Sequence, residues 1–466
     1  MNMNLRRWSA LVLMVQPLFI FAESKNIMKN QQCAEFQSAH LLWGTNLQVR
    51  FLLFPFSNPS CGELLSQQED IQEAGFNASL GTKIIIHGFR ALGTKPSWID
   101  ALIQAFLEVA RVNVIAVDWV QGATAAYPTA VENVMKLGLE ISSFIRKLLA
   151  VGVPESSIHL IGVSLGAHVG GLVGQFYEGH LGRITALDPA GPKYTRASPE
   201  DRLDPGDALF VEAIHTDSDS KLMTCFPIIF QDFGIRIPVG HIDYYLNGGK
   251  DQPGCPRFIL YGYQYLICDH MRAVHFYISV LKDSCPMMAF PCSSYKNFLA
   301  GHCLDCFDPF LLSCPTLGLL DNGGLNMKTL PREVKVYLAT AASAPYCVHH
   351  TLVEFHLQQR RASDTNIEIT FLTSNSSAST SFIIPKQQML GKGLLIHSAP
   401  LCQIESVMLQ HHHKFWKRKK DEPPIIGHFC TAPLPVDKNE KMICLPQVMT
   451  ITNHNPLLQN LNIQCD

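Results

Sequence analysis

Ile158-His159-Leu160-Ile161-Gly162-Val163-Ser164-Leu165-Gly166 is the stretch on which the fold turns. Its apolar, branched run fits a buried strand, and Gly162-x-Ser164-x-Gly166 closes it. The segment that follows, Ala167 to Tyr177, is rich in small residues and reads as a helix. Strand, tight turn and helix in that order form the setting of a nucleophile elbow. The glycines matter because such a turn crowds the backbone and takes dihedrals that a side chain forbids. The strained turn lifts the serine hydroxyl to the end of the sheet, within reach of a base and of a substrate carbonyl. A lone G-x-S-x-G arises by chance in many turns. With this strand before it and this helix behind it, Ser164 reads as a nucleophile, which points to esterase or lipase chemistry.

Working outward, apolar strand-like runs alternate with helical ones from Leu47 to about Leu281. Leu47-Phe54, Lys83-His87, Val112-Trp119, Ile158-Val163, Ile184-Leu187 and Ala208-His215 read as strands. Pro96-Ala110 and Thr129-Leu149 carry helical spacing of apolar residues. The alternation predicts an α/β domain with a largely parallel sheet covered on both faces. After Pro331 the texture changes to short runs of period-two character: Val334-Leu338, Leu352-Leu357, Asn366-Leu372, Ser381-Pro385 and Leu394-His397. Turn residues separate them, which predicts a β-sandwich. The expected division is residues 1–24 as a signal peptide, 25–330 as the α/β domain and 331–466 as the sandwich.

The 466 residues exceed one ordinary domain, and 47% hydrophobic with 16% charged residues suits a large packed core. A formal net charge of -2 predicts no nucleic-acid partner. Arg6 and Arg7 precede an apolar run from Ala10 to Ala22, broken by Gln16 and Pro17, so the N-terminus reads as a secretory signal cut near Ala22 to Ser24. No later run reaches the roughly 20 apolar residues of a membrane span, so a secreted, extracellular protein is expected. Fifteen cysteines fit disulfides made in an oxidising compartment, with one thiol left over. Asn77-Ala78-Ser79 and Asn375-Ser376-Ser377 are glycosylation sequons.

A nucleophilic serine needs a base to take its proton and an acid to orient that base, in the order Ser, Asp or Glu, His. Asp188 ends the strand Ile184-Leu187 on the rim that carries Ser164, which favours it as the acid over an N-cap or turn aspartate. Asp118 also ends a strand but precedes the serine. For the base, His215, His241, His270 and His275 all follow Asp188. His270 stands two residues past Cys268 and immediately before an expected helix, Met271-Leu281, and leads the four without excluding the others. The oxyanion donors are expected at the N–H of Leu165, next to the nucleophile, and of Phe89, in the loop Ile84-Ile85-Ile86-His87-Gly88-Phe89. His87 reads as a buttress of that loop.

These motifs together resemble the pancreatic lipase family of secreted lipases. The resemblance rests on His87-Gly88-Phe89, Gly162-Val163-Ser164-Leu165-Gly166, Ala186-Leu187-Asp188-Pro189-Ala190-Gly191-Pro192, Gly240-His241-Ile242-Asp243-Tyr244-Tyr245-Leu246-Asn247-Gly248-Gly249, Gln252-Pro253-Gly254-Cys255 and Cys268-Asp269-His270-Met271-Arg272. It implies an α/β-hydrolase domain followed by a β-sandwich of the lipoxygenase-like (PLAT) type, with His270 as catalytic base. Within the family, the run Tyr265 to His275 and much of the C-terminal half look like the phosphatidylserine-specific phospholipases A1. The resemblance therefore implies hydrolysis of the sn-1 acyl ester of phosphatidylserine, and of lysophosphatidylserine, at a phospholipid membrane surface. A triacylglycerol or general phospholipid lipase, and a lipid-binding protein without catalysis, remain the alternatives. No cofactor is required for such chemistry.

Three further features follow from the resemblance. Cys255 and Cys268 would close a short lid, Pro256 to Ile267, over the site; the pair also reads as a structural staple. Its Phe258, Tyr261, Tyr263 and Tyr265 give it an aromatic surface suited to a membrane interface. Asp204 and Asp207, with carbonyls of Pro199 and Arg202, resemble a structural calcium site, against a turn with two solvated aspartates. An apolar insert, Lys221 to Asp232 with Cys225 inside it, departs from the phospholipase pattern. Separately, Lys414, Lys417, Arg418, Lys419 and Lys420 surround Phe415 and Trp416, which reads as an anionic-surface contact or as a solvated loop.

Overall fold

The computed structural model describes residues 33–40, 46–66, 71, 74–124, 126–218, 233–282, 287–306, 314–318, 333–411, 423–436, 442–452 and 455–465. Ten strands make one sheet: β1 (Arg50–Phe54), β2 (Glu63–Leu64), β3 (Thr82–Ile86), β4 (Asn113–Asp118), β5 (Ile158–Val163), β6 (Arg183–Leu187), β7 (Phe210–His215), β8 (Ile242–Leu246), β9 (Phe290–Pro291) and β10 (Val334–Leu338). Their order is β2-β1-β4-β3-β5-β6-β7-β8-β10-β9. The seven from β4 to β10 are parallel, and β1, β2 and β9 run antiparallel at the margins.

Every residue of β4, β5 and β7 is buried. That is the signature of a parallel sheet covered on both faces, and it explains why these strands read as near-continuous apolar runs, with the buried exceptions paired, His159 to Thr185 and Glu212 to Arg183. Successive side chains still alternate between two cores. Ile84 and Ile86 of β3 join one with the helices Tyr127–Ala150 and Leu165–Phe176. Ile85 joins the other with the helices Ile99–Val109 and Tyr263–Lys282. The large rings of Phe106, Phe276 and Tyr277 are fully buried in that second core. Each contributes about 2 kcal/mol relative to leaving it in water.

The sequence reading and the structure part at three places. Val334–Leu338, read as the first run of the sandwich, pairs in parallel with β8, from Val334 opposite Ile242 to Leu338 opposite Leu246. The α/β sheet therefore extends past residue 330, and the first sandwich strand is His349–Leu357. Ile242–Leu246, absent from the strands expected from the sequence, is a fully buried strand. Its Asp243 breaks the apolar pattern because His215 Nε2 and the backbone N–H groups of Val239 and Gly240 satisfy it internally. The helix expected from Met271 starts at Tyr263, inside the lid.

The C-terminal strands form two antiparallel sheets, one built around His349–Leu357 and Ile425–Pro433, the other around Thr365–Leu372 and Ser406–His411. Val353, Phe355, Ile367, Ile369, Val407, Leu409 and Phe429 fill the space between them. This sandwich packs on the α/β domain through Leu352, Leu394 and Leu434 against Tyr245, Phe290, Phe298 and Tyr337. Among the described residues no helix is long and apolar enough to cross a membrane. Disulfides join Cys292 to Cys303, Cys306 to Cys314, Cys402 to Cys465 and Cys430 to Cys444.

Candidate active site

Ser164 leaves β5 with φ 57° and ψ -118°. A serine in that region is strained, and the turn holds it because its neighbours leave no alternative. A Cβ on Gly162 would meet the backbone of Ala167 at 2.5 Å, and one on Gly88 would stand 2.7 Å from both Ser164 Cβ and the Val163 carbonyl. The glycines thus permit the helix to pack on the strand and the early loop to lie against the serine. Ser164 N–H donates to Leu187 O at 3.1 Å, and Ala190 N–H donates to Ser164 O at 3.2 Å. These bonds fix the serine to the strand end that carries Asp188.

Asp188 is fully buried with φ 44°. Its Oδ1 accepts from the N–H groups of Thr216 (2.8 Å) and Asp217 (3.2 Å), just past the end of β7. Its Oδ2 lies 2.6 Å from His270 Nδ1. Burial alone would lower the His270 pKa, but the hydrogen bond and charge of Asp188, with the charge of Asp217 added, outweigh it and hold the imidazole above its ordinary value. His270 itself stands in the continuous helix Tyr263–Lys282 and not at the loop end expected from the sequence.

Leu165 opens the helix that follows Ser164, and Phe89 follows Gly88 in the adjacent loop. Neither backbone N–H has an acceptor among the described residues. The Leu165 N–H at a buried helix start and the Phe89 N–H of the loop against it are both free to receive an oxyanion. The Phe89 ring meets Tyr127 edge-on at 5.6 Å, and Tyr127 OH donates to Pro192 O, which closes the loop over the elbow. His87 buttresses this loop. Its Nδ1 bonds Gly88 O, its Nε2 accepts from Trp119 N–H, and burial pushes its pKa down to about 3.

The remaining candidates are engaged elsewhere. His215 bonds Asp243 and Ile235 O, His241 Nδ1 accepts from Val211 N–H, and His275 faces outward from its helix. Asp118 pairs with Arg50 at 2.9 Å and accepts from Gln37 N–H.

Cys255 and Cys268 are disulfide-bonded with Cα atoms 5.7 Å apart, closing the lid segment between them. Phe258, Leu260 and Tyr261 are 68%, 94% and 63% exposed, so the segment presents apolar surface to solvent. At its base, Asp269 Oδ1 accepts from Gln252 N–H at 2.7 Å, and Gln252 Nε2 donates to Thr216, Leu246 and Lys250 carbonyls. Sequence reasoning quoted Gln252 only within the Gln252-Pro253-Gly254-Cys255 motif and missed its bracing role, and it missed the second carboxylate, Asp217, for which no local pattern gives a signal.

Asp204 and Asp207 cap one short turn. Asp204 Oδ1 accepts from Gly206 N–H, and Asp207 Oδ2 accepts from Asp204 N–H. Asp207 is 2% exposed, and burial pushes its pKa up to about 7. A buried carboxyl beside a second carboxylate supplies hard oxygen donors of the kind that suit calcium. Asn77 and Asn375 are both exposed; Asn77 Oδ1 accepts from Ser79 N–H and Oγ, and Asn375 lies in the turn between strands Thr365–Leu372 and Ser377–Ile384. The insert Lys221 to Asp232 with Cys225, and the cluster Lys414 to Lys420, lie outside the described residues.

The sequence model of the family described as Lipase matches residues 13–346. A protein named Phospholipase A1 member A from Bos taurus is 63% identical over 435 residues, covering 93% of this chain and 92% of that protein. Its namesake from Homo sapiens is 61% identical over 436 residues, with the same coverage. A protein named Lipase member H from Danio rerio is 44% identical over 321 residues, 68% of each chain.

Proposed function

This chain belongs to the lipase family, and from that premise we propose that it is a secreted phospholipase A1 whose preferred substrate is phosphatidylserine. It is a carboxylic ester hydrolase acting on phospholipid. The observation that carries the catalytic reading is the 2.6 Å bond from His270 Nδ1 to Asp188 Oδ2 on the rim where Ser164 holds its positive φ.

In this reading Ser164 Oγ attacks the sn-1 ester carbonyl while His270 takes its proton. Asp188 keeps the imidazole tautomer that presents Nε2 to the serine, and stabilises the imidazolium once formed. The N–H groups of Leu165 and Phe89 receive the oxyanion of the tetrahedral intermediate. His270 returns the proton to the departing glycerol oxygen, so a lysophospholipid leaves and the acyl group stays on Ser164. A water activated by His270 then releases the fatty acid.

The sn-1 position and the serine headgroup rest on the resemblance to phosphatidylserine-specific phospholipases A1. The disulfide-closed lid is short, which leaves the mouth open to a polar headgroup and supports phospholipid over triacylglycerol. Lys414, Lys417, Arg418, Lys419 and Lys420 would add an anionic-surface contact in the second domain, each cation near the bilayer contributing about 1 kcal/mol. A calcium held by Asp204 and Asp207 would be structural and remote from the chemistry. Assaying the secreted protein on vesicles of phosphatidylserine, phosphatidylcholine and phosphatidylethanolamine, with triolein and a soluble short-chain ester beside them, tests the reading. Lysophosphatidylserine and free fatty acid are the expected products; faster turnover of triolein than of any phospholipid would overturn it.

A further inference from the structure

Gln252 is fully buried, and each polar atom it carries is bonded. Its N–H donates to Asp269 Oδ1 at 2.7 Å. Its carbonyl accepts from Cys255 N–H at 3.2 Å and from Arg257 Nη2 at 3.0 Å. In the side chain, Oε1 accepts from Asn247 Nδ2 at 2.8 Å, and Nε2 lies within 3.0 Å of the carbonyl oxygens of Thr216, Leu246 and Lys250. A primary amide has two protons, so one of them is shared between two of these carbonyls. A residue that shows nothing to solvent and ties four segments together is a joint.

On one side of the joint, residues 252–255 are fastened to the helix that carries His270. Asp269 Oδ1 accepts from Gln252 N–H, Arg272 Nη2 donates to Pro253 O at 2.8 Å, and Cys255 is bridged to Cys268. Asp269 and Arg272 are three residues apart and share one helix face. Holding that face fixes the rotation of the helix about its axis, and hence the direction in which His270 leaves it. On the other side, the Gln252 amide reaches Thr216 O, and Thr216 N–H donates to Asp188 Oδ1 at 2.8 Å. The Thr216 hydroxyl also stands 3.5 Å from His270 O. The bonds close a ring: Asp188 Oδ1 to Thr216, Thr216 O to Gln252, Gln252 N–H to Asp269, and from the adjacent His270 Nδ1 back to Asp188 Oδ2 at 2.6 Å. Both members of the catalytic pair lie on it.

We propose that Gln252 is the positioning residue of the Asp188–His270 pair. Its side-chain amide holds one rigid unit, the helix with residues 252–255, in register with the strand ends around Asp188. The short bond between carboxylate and imidazole then keeps its geometry while the imidazole gains and loses a proton. A buried glutamine that only satisfied loop carbonyls would hold Thr216, Leu246 and Lys250 without the further bond to the residue beside the base. Loss of the amide frees the two sides to shift against each other, and a misplacement on the order of 1 Å costs about a hundredfold in rate. The inference rests on the triad reading above and names what keeps two of its members in register.

The test measures hydrolysis of a soluble short-chain ester by wild-type, Gln252→Met, Asp269→Leu, Asp269→Asn and Ser164→Ala proteins, with the folded fraction of each taken from its thermal melt. Methionine keeps the length of glutamine without the amide, and leucine keeps the shape of aspartate without an acceptor. In both, kcat per folded molecule should fall about ten- to a hundredfold while KM changes little, since ground-state binding is untouched. Burial draws the His270 pKa down, and the bond and charge of Asp188 with the charge of Asp217 hold it up. A loosened bond leaves burial to act, so the acid limb of kcat/KM should move to lower pH in both variants. Asp269→Asn loses the charge but keeps an oxygen for the Gln252 N–H, and it should recover most of what Asp269→Leu loses. Losses that track the unfolded fraction alone, with kcat per folded molecule and the limb unmoved, overturn the inference. If Gln252→Met does not fold, the Asp269 pair decides, and equal activity of Asp269→Leu and Asp269→Asn overturns it. Full activity of Ser164→Ala removes the triad reading and the inference together. An inactive Ser164→Ala beside unaltered Gln252→Met and Asp269→Leu removes the inference alone.

Discussion

His270 bonds Asp188 from a helix that begins seven residues earlier, at Tyr263, within the disulfide-closed lid. About two turns of one rigid element therefore separate the catalytic imidazole from the exposed lid surface. Asp269 and Gln252 brace that element against the carbonyls of Thr216 and Leu246, at the ends of β7 and β8. A pull on the lid reaches the base through helix, not through loop.

Ser164→Ala is expected to abolish hydrolysis of a soluble ester while melting temperature and secretion persist, since the side chain is a nucleophile and not a packing residue. His270→Ala should lose activity on a similar scale, about a thousandfold or more, because triad members act as a unit. His275→Ala, on the outer face of the same helix, should cost less than threefold, a change of about 0.6 kcal/mol. Near-wild-type turnover by the serine variant, or a larger loss at His275 than at His270, would remove the assignment.

The pH profile gives an independent reading of the same pair. His270 works as a base only when neutral, so kcat/KM should rise with pH as the imidazole loses its proton. Its folded-state pKa is raised, so the midpoint of that limb should lie above the ordinary histidine value of about 6.5. Asp188→Asn removes the group that raises it and leaves burial to act against Asp217 alone. The limb should then shift to lower pH, with kcat reduced by about four orders of magnitude. An unmoved limb in Asp188→Asn would mean that another residue sets the wild-type profile.

Stability should respond to pH through Asp207. Its folded-state pKa of about 7 lies above the unfolded value of about 3.9. Between these values the folded state holds more protons, so this group stabilises the fold fully below about pH 4 and loses that contribution as pH rises through 7. The full effect is on the order of 4 kcal/mol at most. Asp207→Asn should flatten this slope relative to wild type in thermal melts with chelator present. Calcium should raise the melting temperature more at pH 7.5 than at pH 5, where the proton competes for the carboxyl. Equal melting temperatures with calcium and with chelator at both pH values would rule out the metal.

The parts of the fold legible in the sequence were those where one physical demand acted on consecutive residues. Strands buried on both faces are mostly apolar, so Ile158–Val163 and Phe210–His215 could be read from their composition despite His159, Glu212 and His215. Ile242–Leu246 is equally buried, but Asp243 is satisfied by His215 from a neighbouring strand, a partner that no local pattern discloses. Val334–Leu338 reads as period two because Lys335 is exposed, and only its pairing with β8 places it in the first domain. In the site, Ser164 and Gly162 follow from the turn itself. The final weight on His270 needed the family resemblance, since His215, His241 and His275 also follow Asp188 in the same domain and distance in space is absent from their spacing.

The lid itself yields the last prediction. Leu260 is 94% exposed, and Phe258 and Tyr261 are each more than 60% exposed. Apolar side chains so displayed cost free energy in water that a membrane interface would recover, about 1.5 to 3 kcal/mol for a large side chain fully buried. Replacing Phe258, Leu260 and Tyr261 together by serine should weaken partitioning onto neutral phosphatidylcholine vesicles by at least about tenfold, even if each residue recovers only a fraction of that figure. Neutral vesicles isolate this contribution from the basic cluster at Lys414 to Lys420, whose attraction depends on anionic lipid and fades with salt. Because the Cys255–Cys268 bridge fixes both ends of the segment, the helix should still start where it does and hold His270 in place. Hydrolysis of a soluble ester should accordingly fall far less than vesicle binding. Undiminished binding of the triple variant to neutral vesicles would show that the lid's apolar surface faces something other than a bilayer.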